Sequence, residues 1–481
     1  MSGNGTLLEA LAGMVAEATY DRLPVEVTAS TRQRVLDTLG ICLAAAALPT
    51  SRAIGAYAVS QGGVREAHAV GLAVPLPGAM AALVNGTLAH SLDYDDTHLP
   101  SVLHPSATVL PACLAAAEMA HASGRQLLAA AAAGLEVCVR LGMAGYDRAA
   151  RNSTYFDRGQ HATSICGAVA AAGAAASLLG LDPDGVGHAM SLAVSMASGV
   201  IEANRTGGTV KRLHCGWAAH AGVSAASLAR LGFTGPPTVL EGRFGFFEAF
   251  LGGHYDPSVI TSGLGTTWAV PSIHFKPYPA NHFTHAGIDA ALALRGRGLV
   301  GEEVASLRLG VAGPTVRTIG EPIGSKRAPE TGYQAQFSGP YTVVAALLGG
   351  HGLGLGLDDF TDALARDPAR RALMARVDVV EDPACSSVFP DRLPAVVVVR
   401  THDGRELVEA VMSNRGGPDR PLSDEELTVK FEDNASRALA QPEVEQLQET
   451  VSSLERLDDV GACLTPTESA RLVSAEGPGP S

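Results

Sequence analysis

Long apolar segments rich in alanine fill most of the first 260 residues and restrict what this part of the chain can form. Apolar residues recur there with the period of a helix, as Val35, Leu36, Leu39 and Cys42 do, and no stretch alternates apolar and polar residues as a strand would. Helices are predicted at 6–19, 31–47, 77–92, 105–122, 124–145, 160–180, 183–203 and 211–231. We therefore expect the first 260 residues to be all-helical.

The chain changes character after about residue 265. Short β-branched segments, which are typical of strands, occur at 307–311, 377–380 and 394–401. A turn at 402–405 predicts a hairpin between 395–401 and 406–412. Further helices are predicted at 284–296, 338–350, 358–366, 423–440 and 442–456. The predicted fold is mainly α, with an all-helical domain at 1–265, a smaller α+β domain at 266–415 and C-terminal helices at 416–481 that return to the helical domain, which is then discontinuous.

The charge of the chain argues against a nucleic-acid partner. The net charge is −14, from 35 basic and 49 acidic residues, and no run of Lys or Arg forms a basic stripe. Only 17% of the residues are charged and 46% are hydrophobic, which indicates a globular protein with a sizeable core and much surface buried between subunits.

The cysteines and the N-terminus favour a cytoplasmic protein. The seven cysteines are odd in number and form no CxxC pair, so buried reduced thiols are expected. The N-terminus lacks a basic region followed by an apolar one, so no signal peptide is expected. The alanine-rich runs at 127–139 and 165–181 are interrupted or too weakly apolar to span a bilayer, so we expect no membrane partner.

The most polar stretch lies at 85–105, between two apolar segments. Asp93, Asp95, Asp96, His98 and His104 crowd this stretch, and packing alone rarely needs so many proton-transfer groups together. These side chains could bind a divalent metal, but the HExxH and EF-hand spacings are absent. A metal-free proton-transfer site is favoured, and a purely structural polar loop is the remaining alternative.

Three further turns at helix ends carry candidate functional groups. His161 opens a helix of small residues and has the side chain best suited to acid–base work near neutrality, although on local sequence alone a histidine at a helix start is more often a cap or a surface group. Lys211 follows a glycine turn that lacks the Walker spacing, which leaves an anion site or a solvated basic turn. Lys276 lies in a rigid proline-containing stretch near His282 and His285, where it could pair with a carboxylate or simply precede a capped helix.

Together these turns supply imidazole bases and cationic groups that bind carboxylates. No nucleotide fingerprint, cysteine metal site or nucleophile elbow appears in the sequence. Such a set suits removal of a proton alpha to a carboxylate, with stabilisation of the charge that develops. Loss of water, loss of carbon dioxide and epimerisation all share that intermediate.

The motifs resemble those of the 2-methylcitrate dehydratase (MmgE/PrpD) family. The resemblance begins with His90-Ser-Leu-Asp93-Tyr-Asp95-Asp96-Thr97-His98, followed by His104-Pro-Ser. Further matches occur in order along nearly the whole chain: Leu36-Asp-Thr-Leu-Gly40, Gly208-Thr-Val-Lys211, Leu240-Glu-Gly-Arg-Phe-Gly245, Phe275-Lys-Pro-Tyr-Pro279 with Thr284-His285, Gln336-Phe-Ser338 with Tyr341, and Pro421-Leu-Ser-Asp with Lys430-Phe431.

The resemblance implies a large helical domain with a smaller α+β lid domain, a homodimer and no cofactor or metal. It implies a site between the two domains that binds a di- or tricarboxylate. We expect His282, His285 and Tyr341 to contribute to substrate binding as well. The catalytic set that it implies is His161, His104, Asp93, Thr97 and Lys211, and Lys276 joins the substrate-binding set. The chain departs from the family pattern at Ala280-Asn281-His282, where small residues and then a basic residue are expected.

We expect a cofactor-independent lyase of the type that dehydrates 2-methylcitrate or decarboxylates cis-aconitate. His161 is expected to act as general base or acid, with His104 opposite it, and the two lysines would neutralise substrate carboxylates. Asp93 and Thr97 would orient the site. An epimerase of a small dicarboxylate such as iminodisuccinate, with the same site, is the alternative, and a silent helical scaffold protein is a third hypothesis.

Overall fold

The computed structural model describes residues 5–203, 207–470 and 472. The chain divides into two compact units, one made of Met1–Ile273 with Asn434–Ser481 and the other made of His274–Asp433. Each unit is described by itself below.

The first unit is built almost entirely of helices. Twelve of them precede Ile273 in the described residues: α1 Leu7–Glu17, α2 Val25–Ala45, α3 Pro49–Gln61, α4 Gly78–Ala89, α5 Ser106–Ala120, α6 Gly124–Ala144, α7 Thr154–Asp157, α8 Ala162–Leu178, α9 Pro183–Val194, α10 Val210–Arg230, α11 Phe246–Leu251 and α12 Ser258–Thr261. The C-terminal helix α22, Gln441–Ser452, belongs to the same unit. Two short strands, β1 Tyr146–Asp147 and β2 Asn152–Ser153, pair antiparallel between α6 and α7.

Helices α4, α8 and α10 pack at very short range because small residues face one another. A Cβ atom on Gly86 would lie 2.7 Å from the Cα of Gly216, and a Cβ on Gly222 would lie 2.8 Å from the carbonyl carbon of Ala171. Only glycine allows backbones to approach this closely. The alanine- and glycine-rich composition therefore sets the distance between these helices.

This packing brings together the helix ends that carry the polar motifs. Helix α4 ends at Ala89, directly before His90, and α8 begins directly after His161. Helix α10 places Lys211 and His214 in its first turns. The termini therefore deliver side chains from distant parts of the sequence to one end of the bundle.

Helix α6 is the longest apolar helix of the core. Contrary to the expectation for the run at 127–139, it is long and apolar enough to cross a bilayer by length and composition, but 94% of its most apolar part is buried within the protein. Burial of this kind marks a core helix. All seven cysteines are free and buried, as the sequence predicts.

The second unit combines a four-stranded sheet with short helices. The strands are β3 Val304–Val311, β4 Val377–Glu381, β5 Ala395–Thr401 and β6 Glu406–Val411, in the order β4-β3-β5-β6. The β3–β4 pair is parallel, whereas β3–β5 and β5–β6 are antiparallel. The helices are α13 His285–Gly296, α14 Gly313–Ile319, α15 Ile323–Arg327, α16 Gly332–Ala335, α17 Gly339–Leu348, α18 Asp362–Ala365, α19 Pro368–Met374, α20 Pro383–Val388 and α21 Asp424–Ala435.

The mainly α fold with a smaller α+β part is confirmed, and so is the predicted hairpin. Residues Val397 and Glu409 face each other across β5 and β6, in register with the predicted turn. The alternating burial of β5 explains why the strand pattern was visible in the sequence, since Val397 and Val399 point into the core.

The structure differs from the expectations in three places. Helix α9 ends at Val194 instead of continuing to 203, because the backbone then turns so that the carbonyl of Gly199 accepts a hydrogen bond from the amide of His161. The segment predicted as one helix at 358–366 is divided between a 3₁₀ turn at Leu357–Asp359 and the four residues of α18. The short β1–β2 hairpin interrupts a block that was expected to be all-helical.

The boundaries of the units also differ from the predicted 265 and 416. Residues 416–433 lie with the second unit, because the amide of Phe275 donates to the carbonyl of Gly416 and because Leu422 and Leu427 pack on the Phe275 ring. These long-range contacts leave no mark on the local sequence.

Candidate active site

The loop that follows α4 is anchored by a buried ion pair. Arg34 on α2 donates to the Asp96 carboxylate over 2.6 Å, and both side chains are 1% exposed. Ser106, at the start of α5, donates to the same carboxylate with its hydroxyl (2.5 Å) and its amide (3.2 Å). Arg34 also donates to the carbonyls of Val270 and Ile273. Asp96 is therefore committed to holding the loop.

His98 also stabilises the conformation of the loop. Its Nδ1 lies 2.6 Å from the Ser101 hydroxyl, and its amide donates to the carbonyl of Leu103. Val102 adopts a positive φ of 55° at the turn. Asp96 and His98 therefore have structural roles, which was one of the alternatives that the sequence left open for this stretch.

The orientation of His104 is set by its backbone neighbours. Its Nδ1 donates to the carbonyl of Asp96 over 2.8 Å, so the neutral ring has its lone pair on Nε2. Its amide donates to the hydroxyl of Thr163 in the first turn of α8, and the Thr97 hydroxyl lies 3.3 Å from its Nδ1. His104 therefore presents a basic nitrogen in a fixed direction.

Four imidazoles form a continuous row at this end of the helical unit. The ring centroids of His104 and His90 are 5.2 Å apart, those of His90 and His161 are 5.3 Å apart, and those of His161 and His214 are 5.0 Å apart. The row combines two predicted residues, His104 and His161, with two to which the sequence analysis gave no role.

His90 forms the buried centre of the row. Its Nδ1 bonds to the Asp95 carboxylate over 2.6 Å. In the described ranges 5–203 and 207–470, no hydrogen-bond partner reaches its buried Nε2. Asp95 thus fixes the orientation of His90 and directs Nε2 away from the carboxylate, in the manner of other Asp-oriented histidines.

Burial keeps His161 and His214 neutral. Burial is the main cause that lowers the pKa of His161 well below 6.5, and electrostatic interactions with the neighbouring His90 and Lys211 lower it further. The pKa of His214 falls to about 4 for the same reasons, burial first. A neutral imidazole can both accept and donate a proton at neutral pH, which is the property that acid–base catalysis needs.

Positive charge at the site comes from Lys211 and from helix termini. The Lys211 ammonium lies 3.8 Å from the Asp93 carboxylate, and Asp93 has a positive φ of 53°. Helices α8 and α10 begin without a side-chain cap on their N-terminal amides. Uncapped helix N-termini favour bound anions, so this end of the unit suits a carboxylate.

The structure therefore brings together all five predicted catalytic residues. Thr97, His104 and His161 lie within one connected set of contacts, which also includes His90 and His214. Lys211, which pairs with Asp93, lies close enough to His161 to lower its pKa. His214 lies three residues after Lys211, so both side chains are on one face of α10. This spacing is the sequence feature that could have identified His214 as a site residue. Arg34 lies 62 residues from Asp96 and carried no local signal.

The proposed substrate-binding residues of the second unit surround a rigid turn. Lys276 is 2% exposed, and the nearby Tyr278 hydroxyl donates to Asp289 over 2.7 Å. The rings of His282 and His285 stack with centroids 4.5 Å apart. The Asn414 amide bonds to Nε2 of His282 over 2.8 Å, and Nε2 of His285 donates to the carbonyl of Ala280.

Tyr341 lies on α17 and has a different environment. It is fully buried, its hydroxyl donates to the carbonyl of Asp359, and its ring packs against Phe360. These contacts give Tyr341 a role in the core of the second unit. Its proposed contact with substrate stays a prediction.

Metal ligands were one of the alternatives for the 90–104 stretch. Within the part of the chain that the structure describes, no group of three or more His, Cys, Asp and Glu side chains is arranged to hold a metal ion. Asp95 and Asp96 are instead engaged by His90 and Arg34.

Comparison with known proteins identifies the family. Residues 9–258 match the MmgE/PrpD N-terminal domain, and residues 278–456 match the MmgE/PrpD C-terminal domain. The cis-aconitate decarboxylase of Homo sapiens is 34% identical over 411 residues, which cover 82% of this chain and 80% of that protein. The mouse (Mus musculus) cis-aconitate decarboxylase is 30% identical over 469 residues, covering 94% and 92%. A 2-methylcitrate dehydratase of Cupriavidus necator is 28% identical over 429 residues, covering 84% and 85%. The chain therefore belongs to the MmgE/PrpD family.

Proposed function

We propose that this chain is a cofactor-independent lyase that acts on a small di- or tricarboxylate by moving a proton at a carbon alpha to a carboxylate. The observation that carries the proposal is the row of imidazoles near Lys211, in which burial keeps His161 and His214 neutral. His104 and His161 precede different helices, α5 and α8, and the row joins them through His90. Two separately oriented bases are what such a reaction needs, since one group gives a proton where another takes one.

The charges of the site favour an anionic substrate. Lys211 and the uncapped starts of α8 and α10 supply positive potential, although the chain as a whole carries −14. Charge that develops on the substrate carboxylate as the proton leaves is stabilised by the same groups. Asp93, 3.8 Å from Lys211, holds the ammonium in place until substrate binds.

Decarboxylation of a cis-aconitate-like tricarboxylate is the first reaction to test, because relatives with that name cover most of this chain at 30–34% identity. Dehydration of a 2-methylcitrate-like acid is the second, because the relative with that name also covers 84% of the chain. The epimerase alternative has no comparable support.

The test is a panel of citrate-like and aspartate-like acids incubated with the protein, with products identified by mass spectrometry. We expect loss of carbon dioxide or of water from one tricarboxylate. His161→Ala should lower turnover by about 10²–10⁴-fold, the usual contribution of a positioned acid or base. Its thermal midpoint shows whether it remains folded.

His220→Gln is the matched control. His220 lies on α10, is partly buried and stacks on Trp217 with centroids 5.1 Å apart, outside the imidazole row. This variant should keep normal turnover. Wild-type protein that converts none of the acids, or a folded His161→Ala protein with normal turnover, would contradict the proposal.

We also propose that the protein acts in the cytoplasm as a homodimer and needs no metal. Light scattering after size-exclusion chromatography tests the dimer. Turnover that survives dialysis against a chelator is the expected result for a metal-free site, and its loss would revive the metal alternative.

A further inference from the structure

His161 and His214 contact each other through the same ring nitrogen, Nδ1. Their Nδ1 atoms lie 3.2 Å apart. A neutral imidazole has one N–H and one lone pair, so this contact holds a single proton that one ring donates and the other accepts. When His161 donates, its Nε2 has a lone pair and is a base. When His161 accepts, its Nε2 carries the proton and is an acid.

The surrounding charges oppose a positive charge on either ring. His214 faces Lys211 on its own helix, and His161 faces His90 and His104 from the preceding segments. The carboxylates of the site are engaged elsewhere: Asp95 bonds to His90, and Asp93 lies beside Lys211. The protonated form of His161 is therefore unfavourable, so a proton that this ring takes up must be transferred to another group.

The two rings differ in their access to solvent. His161 is 7% exposed, and its backbone amide is held by the carbonyl of Gly199. His214 is only partly buried, in the first turns of α10. His214 thus lies between the buried ring and water.

We propose that His214 is a positioning residue that also relays protons between solvent and His161. This inference rests on the proposed function. As Nε2 of His161 takes a proton from the substrate carbon, the Nδ1 proton of His161 passes to Nδ1 of His214, and His214 releases its Nε2 proton to water. Each ring ends neutral with one proton: the substrate proton stays on Nε2 of His161, and a different proton is released to water from His214. The reverse sequence returns a proton to carbon after loss of carbon dioxide.

Two substitutions separate the relay from simple orientation of the His161 ring. His214→Asn keeps a side chain that can hydrogen-bond to Nδ1 of His161 but cannot pass a proton through. His214→Ala removes both properties and leaves space for imidazole. If the relay operates, both variants lose about 10²-fold or more in kcat, near the lower limit for acid–base groups, with smaller changes in KM.

Chemical rescue provides the decisive kinetic result. Added imidazole should restore turnover of His214→Ala as its concentration rises, and it should do little for His214→Asn. His220→Gln, on the same helix, should be unaffected by imidazole. Normal kcat in His214→Asn, or no rescue of folded His214→Ala, would overturn the relay.

A measurement without substrate separates this inference from the proposed function. In protein with ¹⁵N-labelled histidine, the shared Nδ1 proton should exchange with water more slowly in His214→Asn than in wild type. An unchanged exchange rate would overturn the relay whatever the acid panel gives. Slower exchange in a protein that converts no acid would leave the relay standing and remove the lyase proposal.

Discussion

Some residues at the site hold the loop in place, and we propose that others move protons. The loop His90–His104 contains both kinds, because Asp96 and His98 bond within the fold whereas His104 keeps a nitrogen for chemistry. The sequence predicted a proton-transfer site in this stretch but did not say which of its polar residues were structural. The hydrogen bonds make that division.

The lowered pKa values of the imidazoles have a consequence for stability. His214 titrates at about 4 in the folded protein, whereas an ordinary histidine titrates at 6.5. Between these two values the unfolded chain binds more protons than the folded one, so stability falls as pH falls. The contribution is fully present above the unfolded pKa and is lost as pH drops toward the folded value.

We therefore expect His214→Gln to flatten the pH dependence of stability. The thermal midpoint of the wild type should drop further than that of the variant between about pH 7.5 and about pH 4.5, because only the wild type contains this titrating ring. Carboxylates that titrate in the same range are common to both proteins and cancel in the comparison. Parallel curves for the two proteins would show that His214 is not held neutral by the fold.

At the scale of elements, the distance between α4 and α10 decides the geometry of the row. Gly86 and Gly216 let the two backbones touch, and this contact brings His90 at the end of α4 near His214 at the start of α10. A larger residue at either position would push the helices apart. The helix packing and the site are thus coupled.

Gly86→Ala tests this coupling. Its Cβ would lie 2.7 Å from the Cα of Gly216, a backbone atom that cannot move away alone, so we expect a loss of about 1–3 kcal/mol in the free energy of unfolding from overpacking. Turnover should fall as well, because the rings separate. Denaturant unfolding measures the first effect.

Gly13→Ala on α1 is the matched control for that experiment. A Cβ at Gly13 would meet nothing within 4 Å, so alanine should be neutral or stabilise the helix by up to about 1 kcal/mol. Equal stability changes in the two variants would show that the α4–α10 contact has room to relax.

At the scale of the whole molecule, the helical unit holds the imidazole row and the second unit holds Lys276. Lys276 is 2% exposed, and a buried ammonium forms strong charge-assisted hydrogen bonds with carboxylates, so we propose that it binds a substrate carboxylate during turnover. The row and this lysine belong to units with separate cores.

We expect Lys276→Met to raise KM by about 10-fold to 10²-fold, the loss for one hydrogen bond to a charged group, with a smaller change in kcat. Lys276→Arg keeps the charge and should recover part of the affinity. Steady-state kinetics on the acid found by the panel measures both. A normal KM in folded Lys276→Met would remove this lysine from substrate binding.

The sequence by itself determined the class of fold, the positions of most helices, the β5–β6 hairpin and the family. These features depend on local periodicity and on motifs such as His90–His98, which are readable without tertiary contacts. It also indicated lyase chemistry, which agrees with the names of the relatives.

Only the tertiary structure decided how the polar groups pair. Arg34 meets Asp96 across 62 residues and His161 meets His214 across 53, and no local pattern encodes partners so far apart. Long-range contacts also determine that α9 ends at Val194 and that residues 416–433 belong to the second unit. In each case the partner depends on how whole elements pack against one another, and that property belongs to the folded chain rather than to any segment of it.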